Sequence, residues 1–195
     1  MITDAVKNLM LDNQFVAGAG NMLLSAHTAF STTGLNITGT KTSANFAASL
    51  AGSKALAATT DIAIGAGVTV NWVGLWDSLG TTFKGMLPNG GSDKTFQLDK
   101  TVNERIYVEG HGFVNGDKVT FHNGTAPTGL TTGTVYFVVG QILGDPDYFQ
   151  VALTSGGVAI NITGEASLGC VVSKIIEEIF ASAGIFRVTT WTLTI

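Results

Sequence analysis

Leu56, Ala58, Thr60, Ile62 and Ile64 occupy alternate positions of one segment, the spacing of a strand with one face buried. Gly65-Ala-Gly67 then turns the chain into Val68-Thr-Val-Asn-Trp-Val-Gly-Leu-Trp76. That run sets Val68, Val70, Trp72 and Trp76 on one side and Val73 and Leu75 on the other, which predicts a central strand covered on both faces. Met22-Leu-Leu-Ser-Ala-His-Thr28 predicts an earlier strand. Further on, Ile106-Tyr-Val108, Lys118-Val-Thr-Phe121, Thr134–Val139, Tyr148–Leu153 and Val158–Ile162 recur at short intervals. Asn115-Gly-Asp117, Asp145-Pro-Asp147 and Ser155-Gly-Gly157 supply turns between them. Short strands at regular spacing predict an all-β chain. One helix is expected, at the N-terminus: Thr3 caps it, Asp4 suits its dipole, Val6, Leu9 and Met10 share a face, and Asn13 stops it. Val171 to Ala181 fits a helical face or an edge strand, and its β-branched residues favour the strand.

Charge divides the chain. The first 92 residues hold eight charged side chains: Asp4, Lys7, Asp12, Lys41, Lys54, Asp61, Asp77 and Lys84. The next 26 hold nine, from Asp93 and Lys94 to Asp117 and Lys118, which places a boundary near residue 92. The ending Gly184-Ile-Phe-Arg-Val-Thr-Thr-Trp-Thr-Leu-Thr-Ile195 is again Thr rich and nearly uncharged, as a strand returning to the first domain would be. The expected architecture is therefore a discontinuous β-sandwich-like domain, residues 1–92 plus 173–195, carrying an inserted β-module at 93–172. Residues 31–45, rich in Ser, Thr, Gly and Asn, are expected to form a long exposed loop. That loop and the helix are the expected docking elements, since neither has an evident partner in its own domain.

Only 12% of residues are charged, against about 25% in average soluble domains. So few charges predict a surface covered by neighbours, hence a homo-oligomer, with trimer and hexamer both open. Net charge is −4 with no basic stripe, which argues against binding a nucleic-acid backbone. No apolar run approaches the ~20 residues that span a bilayer, so no membrane insertion is expected. The single cysteine, Cys170, fits a reducing cytoplasm and reads as a small buried hydrophobe.

No catalytic, cofactor or metal site is predicted. The acids sit beside Lys or Arg in turns, and Glu177 and Glu178 point to opposite faces of a strand, so neither arrangement makes a glycosidase pair. His111 and His122 flank one predicted hairpin, but neither they nor His27 have ligands at zinc spacing. Asp145 and Asp147 supply too few oxygens for calcium by themselves. Trp72, Trp76 and Trp191 lie in apolar strands and read as core, though Trp76, at a strand end, is a candidate partner or glycan contact if exposed. Phe113 and Tyr148, in loops of the inserted module, are the other candidates for such a contact.

Two stretches resemble parts of tailed-bacteriophage virion proteins. Val70-Asn-Trp-Val-Gly-Leu-Trp-Asp77, Gly80-Thr-Thr-Phe-Lys-Gly85 and Phe180-Ala-Ser-Ala-Gly-Ile-Phe-Arg-Val-Thr-Thr-Trp-Thr-Leu193 are similar to a small β-domain of tail and fibre-associated proteins, with Phe186 where the pattern has Tyr. Gly110–Phe121, Pro127–Val139 and Phe149–Ile160 resemble a β-module inserted in many phage structural proteins. The resemblance implies an oligomeric virion component without enzymatic activity, assembled in the bacterial cytoplasm. Tail or fibre is the first location it implies, and capsid decoration or a head fibre the second. A receptor- or carbohydrate-binding module at a tail tip is the rival function.

Overall fold

A computed structural model describes residues 3–14, 18–99, 102, 104–141 and 146–194. In chain order its elements are α1 (Asp4–Gln14), β1 (Gly18–His27), β2 (Ile37–Phe46), β3 (Ser53–Ala55), β4 (Thr60–Ile64), β5 (Val68–Val70), β6 (Trp72–Asp77), β7 (Phe83–Pro88), β8 (Gln97–Leu98), β9 (Ile106–Tyr107), β10 (Lys118–His122), β11 (Val135–Val139), β12 (Tyr148–Ala152), β13 (Val171–Ile175), β14 (Glu178–Phe180), β15 (Gly184–Val188) and β16 (Thr192–Thr194). The chain is all-β and sandwich-like, with one short helix among the described residues. It divides into two compact units, residues 1–87 with 177–195, and residues 88–176.

The first unit packs a four-stranded sheet, ordered β2-β1-β6-β7, against a long two-stranded ribbon. In the ribbon, β3, β4 and β5 run antiparallel to β16, β15 and β14, with a single slip in register between Thr60↔Val188 and Ala55↔Thr192. Period-2 alternation decides which side is buried. Thr60, Ile62 and Ile64 point inward with Phe186 and Val188, while Asp61, Ala63, Ile185 and Arg187 face solvent. Met22, Leu24, Ala26, Val73 and Leu75 of the sheet meet them in one core.

Three expectations need correction in this unit. Residues 68–76 are two strands, not one. At Asn71, whose N–H bonds to His27 O at 3.0 Å, the chain passes from the ribbon to the sheet. Val70 therefore shares the core with Val73 and Leu75, and Trp72 and Trp76 face the opposite way. The supposed loop at 31–45 is mostly β2, paired with β1. Its remainder, residues 28–36, covers the tryptophan side of the sheet: Phe30 lies 5.1 Å from Trp72 ring to ring, Ser31 N–H meets Met86 Sδ at 3.2 Å, and Gly34 presses on Trp76. Two large indoles on the far face of a sheet need a lid, and this segment is the lid.

The third correction concerns α1, which does have a partner in its own unit and docks on it by its polar side. Asp12 accepts from Ser49 N–H and Oγ and from Lys54 Nζ at 2.6 Å, Asn8 accepts from Gly52 N–H at 2.8 Å, and Leu11 is buried between them. The apolar stripe Val6, Leu9 and Met10 points to solvent, with Leu9 61% exposed.

The inserted unit is one six-stranded antiparallel sheet ordered β13-β10-β11-β12-β9-β8. Val119, Phe121, Tyr136, Val138, Phe149, Val151 and Ile106 alternate onto one face and form its core with Phe113, Ile162 and Val172. Its two ends lie side by side: Ile176 N–H bonds to Asn89 O at 2.9 Å, and Lys94 and Val172 exchange two 3.0 Å bonds. For that reason the unit extends past both limits read from the sequence, 92/93 and 172/173. Residues 88–92 and 173–176 belong with it.

Candidate functional site

Three polar clusters hold the side chains with chemical potential, and in all three the histidine is buried, while Asp93 of the second reaches solvent. In the first, Trp76 Nε1–H donates to Ser25 Oγ at 2.8 Å, and Ser25 lies 2.7 Å from His27 Nε2. His27 Nδ1 meets Leu35 O at 2.7 Å. A carbonyl only accepts, so Nδ1 carries the proton, Nε2 accepts from the serine hydroxyl, and every group in the chain is satisfied. Burial holds His27 below the usual histidine range, against the opposing pull of the Leu35 carbonyl bond. Ser25 and His27 are fully buried.

The second cluster places Asp93, His122 and Ser173 together. Ser173 Oγ–H donates to Asp93 Oδ1 at 2.8 Å, so His122 Nε2–H donates to Ser173 at 2.9 Å and lies 3.2 Å from Asp93. The same ring nitrogen faces both partners. A nucleophile–base pair needs the opposite polarity, with the histidine taking the serine proton and the carboxylate on its other nitrogen. Burial disfavours charge on Asp93, but the bonds from His122 and Ser173 outweigh it and hold the carboxyl below its usual range. The arrangement staples β10 and β13 to the segment before β8.

The third cluster is His111, stacked on Phe113 at 5.0 Å and edge-on to Phe149. Its Nδ1 accepts from Phe113 N–H at 2.8 Å, and its Nε2 is buried with no hydrogen-bond partner among the described residues. Burial lowers the His111 pKa. The three histidines form no common cluster, and no group of three metal-ligating side chains lies close among the described residues. Asp147 is taken up by Gly110 N–H at 2.8 Å, and Asp145 lies outside the described residues. Cys170 is buried, and burial pushes its thiol pKa up.

Two of the three contact residues expected from sequence are withdrawn. Trp76 is 6% exposed, capped by Lys41 at 3.3 Å from its ring, and Phe113 is 3% exposed. Neither ring can stack on a sugar or a partner. Tyr148 is half-buried and pairs across strands with Tyr107, the rings 5.1 Å apart. Tyr107 was missed, although its alternation with Ile106 and Val108 places it on the far face from the core. Gln97 stands beside it on β8.

No family model, no curated protein and no solved structure matches this chain.

What the surface does offer is apolar. Beyond the helix stripe, Leu50 is 78% exposed, Leu79 81%, Ile179 71%, Val158 91% and Leu168 103%. A shallow cleft of about 400 Å³ between the Asn115, Val139 and Ser155–Gly157 turns has no ionisable group in its lining. No helix among the described residues is long and apolar enough to cross a membrane.

Proposed function

We propose that this chain is a non-enzymatic structural component of a bacteriophage virion, which self-associates and docks on other virion proteins in the tail or a fibre. The observation that carries this reading is the placement of apolar side chains. Large hydrophobics stand in solvent on both units, while the histidines, the hydroxyls beside them and the cysteine are closed inside. Each exposed leucine or isoleucine forgoes about 1.5–3 kcal/mol of burial until a neighbour covers it. The helix supports the same reading, since it is anchored through Asp12 and Asn8 and leaves its apolar face free for a partner. Capsid decoration is the second location. Mass spectrometry of density-purified particles is expected to find the chain in many copies per particle; its confinement to the soluble fraction would overturn the proposal.

The Tyr107–Tyr148 pair favours one further reading, recognition of a host glycan by the inserted unit. Paired tyrosines flanked by the Gln97 amide offer a stacking surface and an uncharged donor–acceptor group. Glycan-array binding lost in Tyr148→Ala would support it, and an array without signal would remove it.

A further inference from the structure

The backbone along an open sheet edge is a template for another strand, and soluble proteins guard such edges with charge, proline, irregularity or cover. Most edges here are guarded. β8 is two residues long, and β13 is covered by the Lys94 segment. β7 carries Lys84, an irregular Gly85 and Pro88. β2 is met by the ribbon, through Ala57 N–H to Asn45 O and the close approach of Gly39 to Ala63 O.

Along the C-terminal edge of the ribbon, β14 carries the exposed charge of Glu178, but β15 has no such guard. β14 and β15 each pair on one side, with β5 and β4, and no strand among the described residues runs along the other. Residues 184–188 contain neither proline nor lysine, and their one charge is Arg187. Arg187 is neutralised by Asp61 through two 2.7 Å bonds, and Ile179 and Ile185 stand 71% and 59% exposed beside the edge.

From this we infer that β15 is the pairing edge for a second copy of the chain, joined antiparallel to its own counterpart about Phe186. The inference rests on the self-association proposed above and names its interface. Register and charge identify the occupant. One antiparallel arrangement of β15 on itself uses all five residues: Phe186 faces Phe186, Gly184 faces Val188, and Ile185 faces Arg187. There the isoleucine lies against the aliphatic stem of the arginine, and each guanidinium keeps its own Asp61. Centring the pair on Arg187 would instead set two guanidinium groups opposite each other, which is unfavourable. The favoured register fuses two ribbons into one sheet ordered β4-β15-β15-β4. Such a contact is two-fold, so assemblies contain an even number of copies.

Light scattering of the full chain tests this with two substitutions at one exposed position. The wild type is expected at an even multiple of 20.2 kDa. Ile185→Lys sets a cation opposite the other copy's Arg187 and is expected to raise the dissociation constant at least tenfold, while Ile185→Asp, opposite the same arginine, retains the wild-type mass. Unchanged tryptophan fluorescence in both variants shows that the fold is intact. An oligomer indifferent to both substitutions, or a trimer, overturns the β15 edge and leaves self-association standing. A wild-type monomer at high concentration overturns both.

Discussion

Gly74 stands directly opposite Ser25 in the β1–β6 pair, and the His27 ring fills the space above it. In Gly74→Ala the new Cβ would lie 2.3 Å from His27 Nε2 and 2.9 Å from Ser25 Oγ. The ring has nowhere to go, because its Nδ1–H is held by Leu35 O at 2.7 Å. Overpacking of this kind costs about 1–3 kcal/mol. Forcing the imidazole off Ser25 leaves buried polar groups short of a partner, at about 1–3 kcal/mol more. A combined loss of roughly 2–6 kcal/mol is large beside a total stability of about 5–15 kcal/mol. The readout is built in: Trp72, Trp76 and Trp191 all belong to the first unit, and Tyr107, Tyr136 and Tyr148 to the inserted one. Urea unfolding followed by tryptophan fluorescence should shift, and the tyrosine signal should not. In a His27→Ala background the same substitution should cost clearly less, because the nearest obstructing atom is gone and only the Ser25 hydroxyl has to turn aside. A wild-type midpoint for the single variant, or an equal penalty in both backgrounds, would refute the packing argument.

Further outcomes follow from other contacts. His27 is held below its unfolded value of 6.5, so the unfolded chain protonates first; stability of the first unit is full above about pH 6.5 and falls as pH drops below it. Urea midpoints at pH 7.5 and 5.2 should differ in the wild type and converge in His27→Gln, and a persistent difference would refute this. Lys54 is fully buried against a single charged partner, Asp12, itself 38% exposed. Asp12→Asn should therefore cost about 2 kcal/mol after allowance for solvent screening, and Lys54→Met clearly less, since an apolar chain of similar volume needs no counter-charge. The reverse order in urea unfolding would count against a buried ion pair. Leu9→Lys on the helix should leave the unfolding midpoint within about 0.5 kcal/mol of wild type, as expected of a solvent-facing position.

The strands were legible where a single face is buried. Thr60, Ile62 and Ile64 carry their environment in their spacing, as do Phe149 and Val151. The return of the C-terminal segment to the first unit was legible in composition, through its thread of threonine and its lack of charge. The reading failed where distant segments decide the environment. Nothing near Ser31 or Gly34 announces that they cover Trp72 and Trp76. The helix stripe obeys the rule for a buried face, yet Lys54, Ser49 and Gly52 dock the opposite side, and a buried lysine has no local signature. The strand at 68–76 looked continuous because alternation continues through Asn71, where the backbone changes sheet. Tyr107 is the instructive case among candidate contacts: its strand was recognised, but its partnership with Tyr148 depends on which strands become neighbours, a fact that resides in topology.

The adjacency of Asn89 and Ile176 bears on how the chain reaches this state. β4 and β15 must meet across the whole inserted segment, and in an open chain closing the loop of about 119 residues between Ile64 and Gly184 costs on the order of 4 kcal/mol of entropy. The inserted unit is contiguous, so its own sheet can form first during synthesis. Once formed, it brings residues 88 and 176 together and delivers Phe180 and Phe186 near Ile62 and Val70 with the closure already made. The insertion then acts as a clasp, and damage to it, such as breaking the Lys94–Val172 bonds, should slow the appearance of native tryptophan fluorescence in a unit to which it contributes no residue.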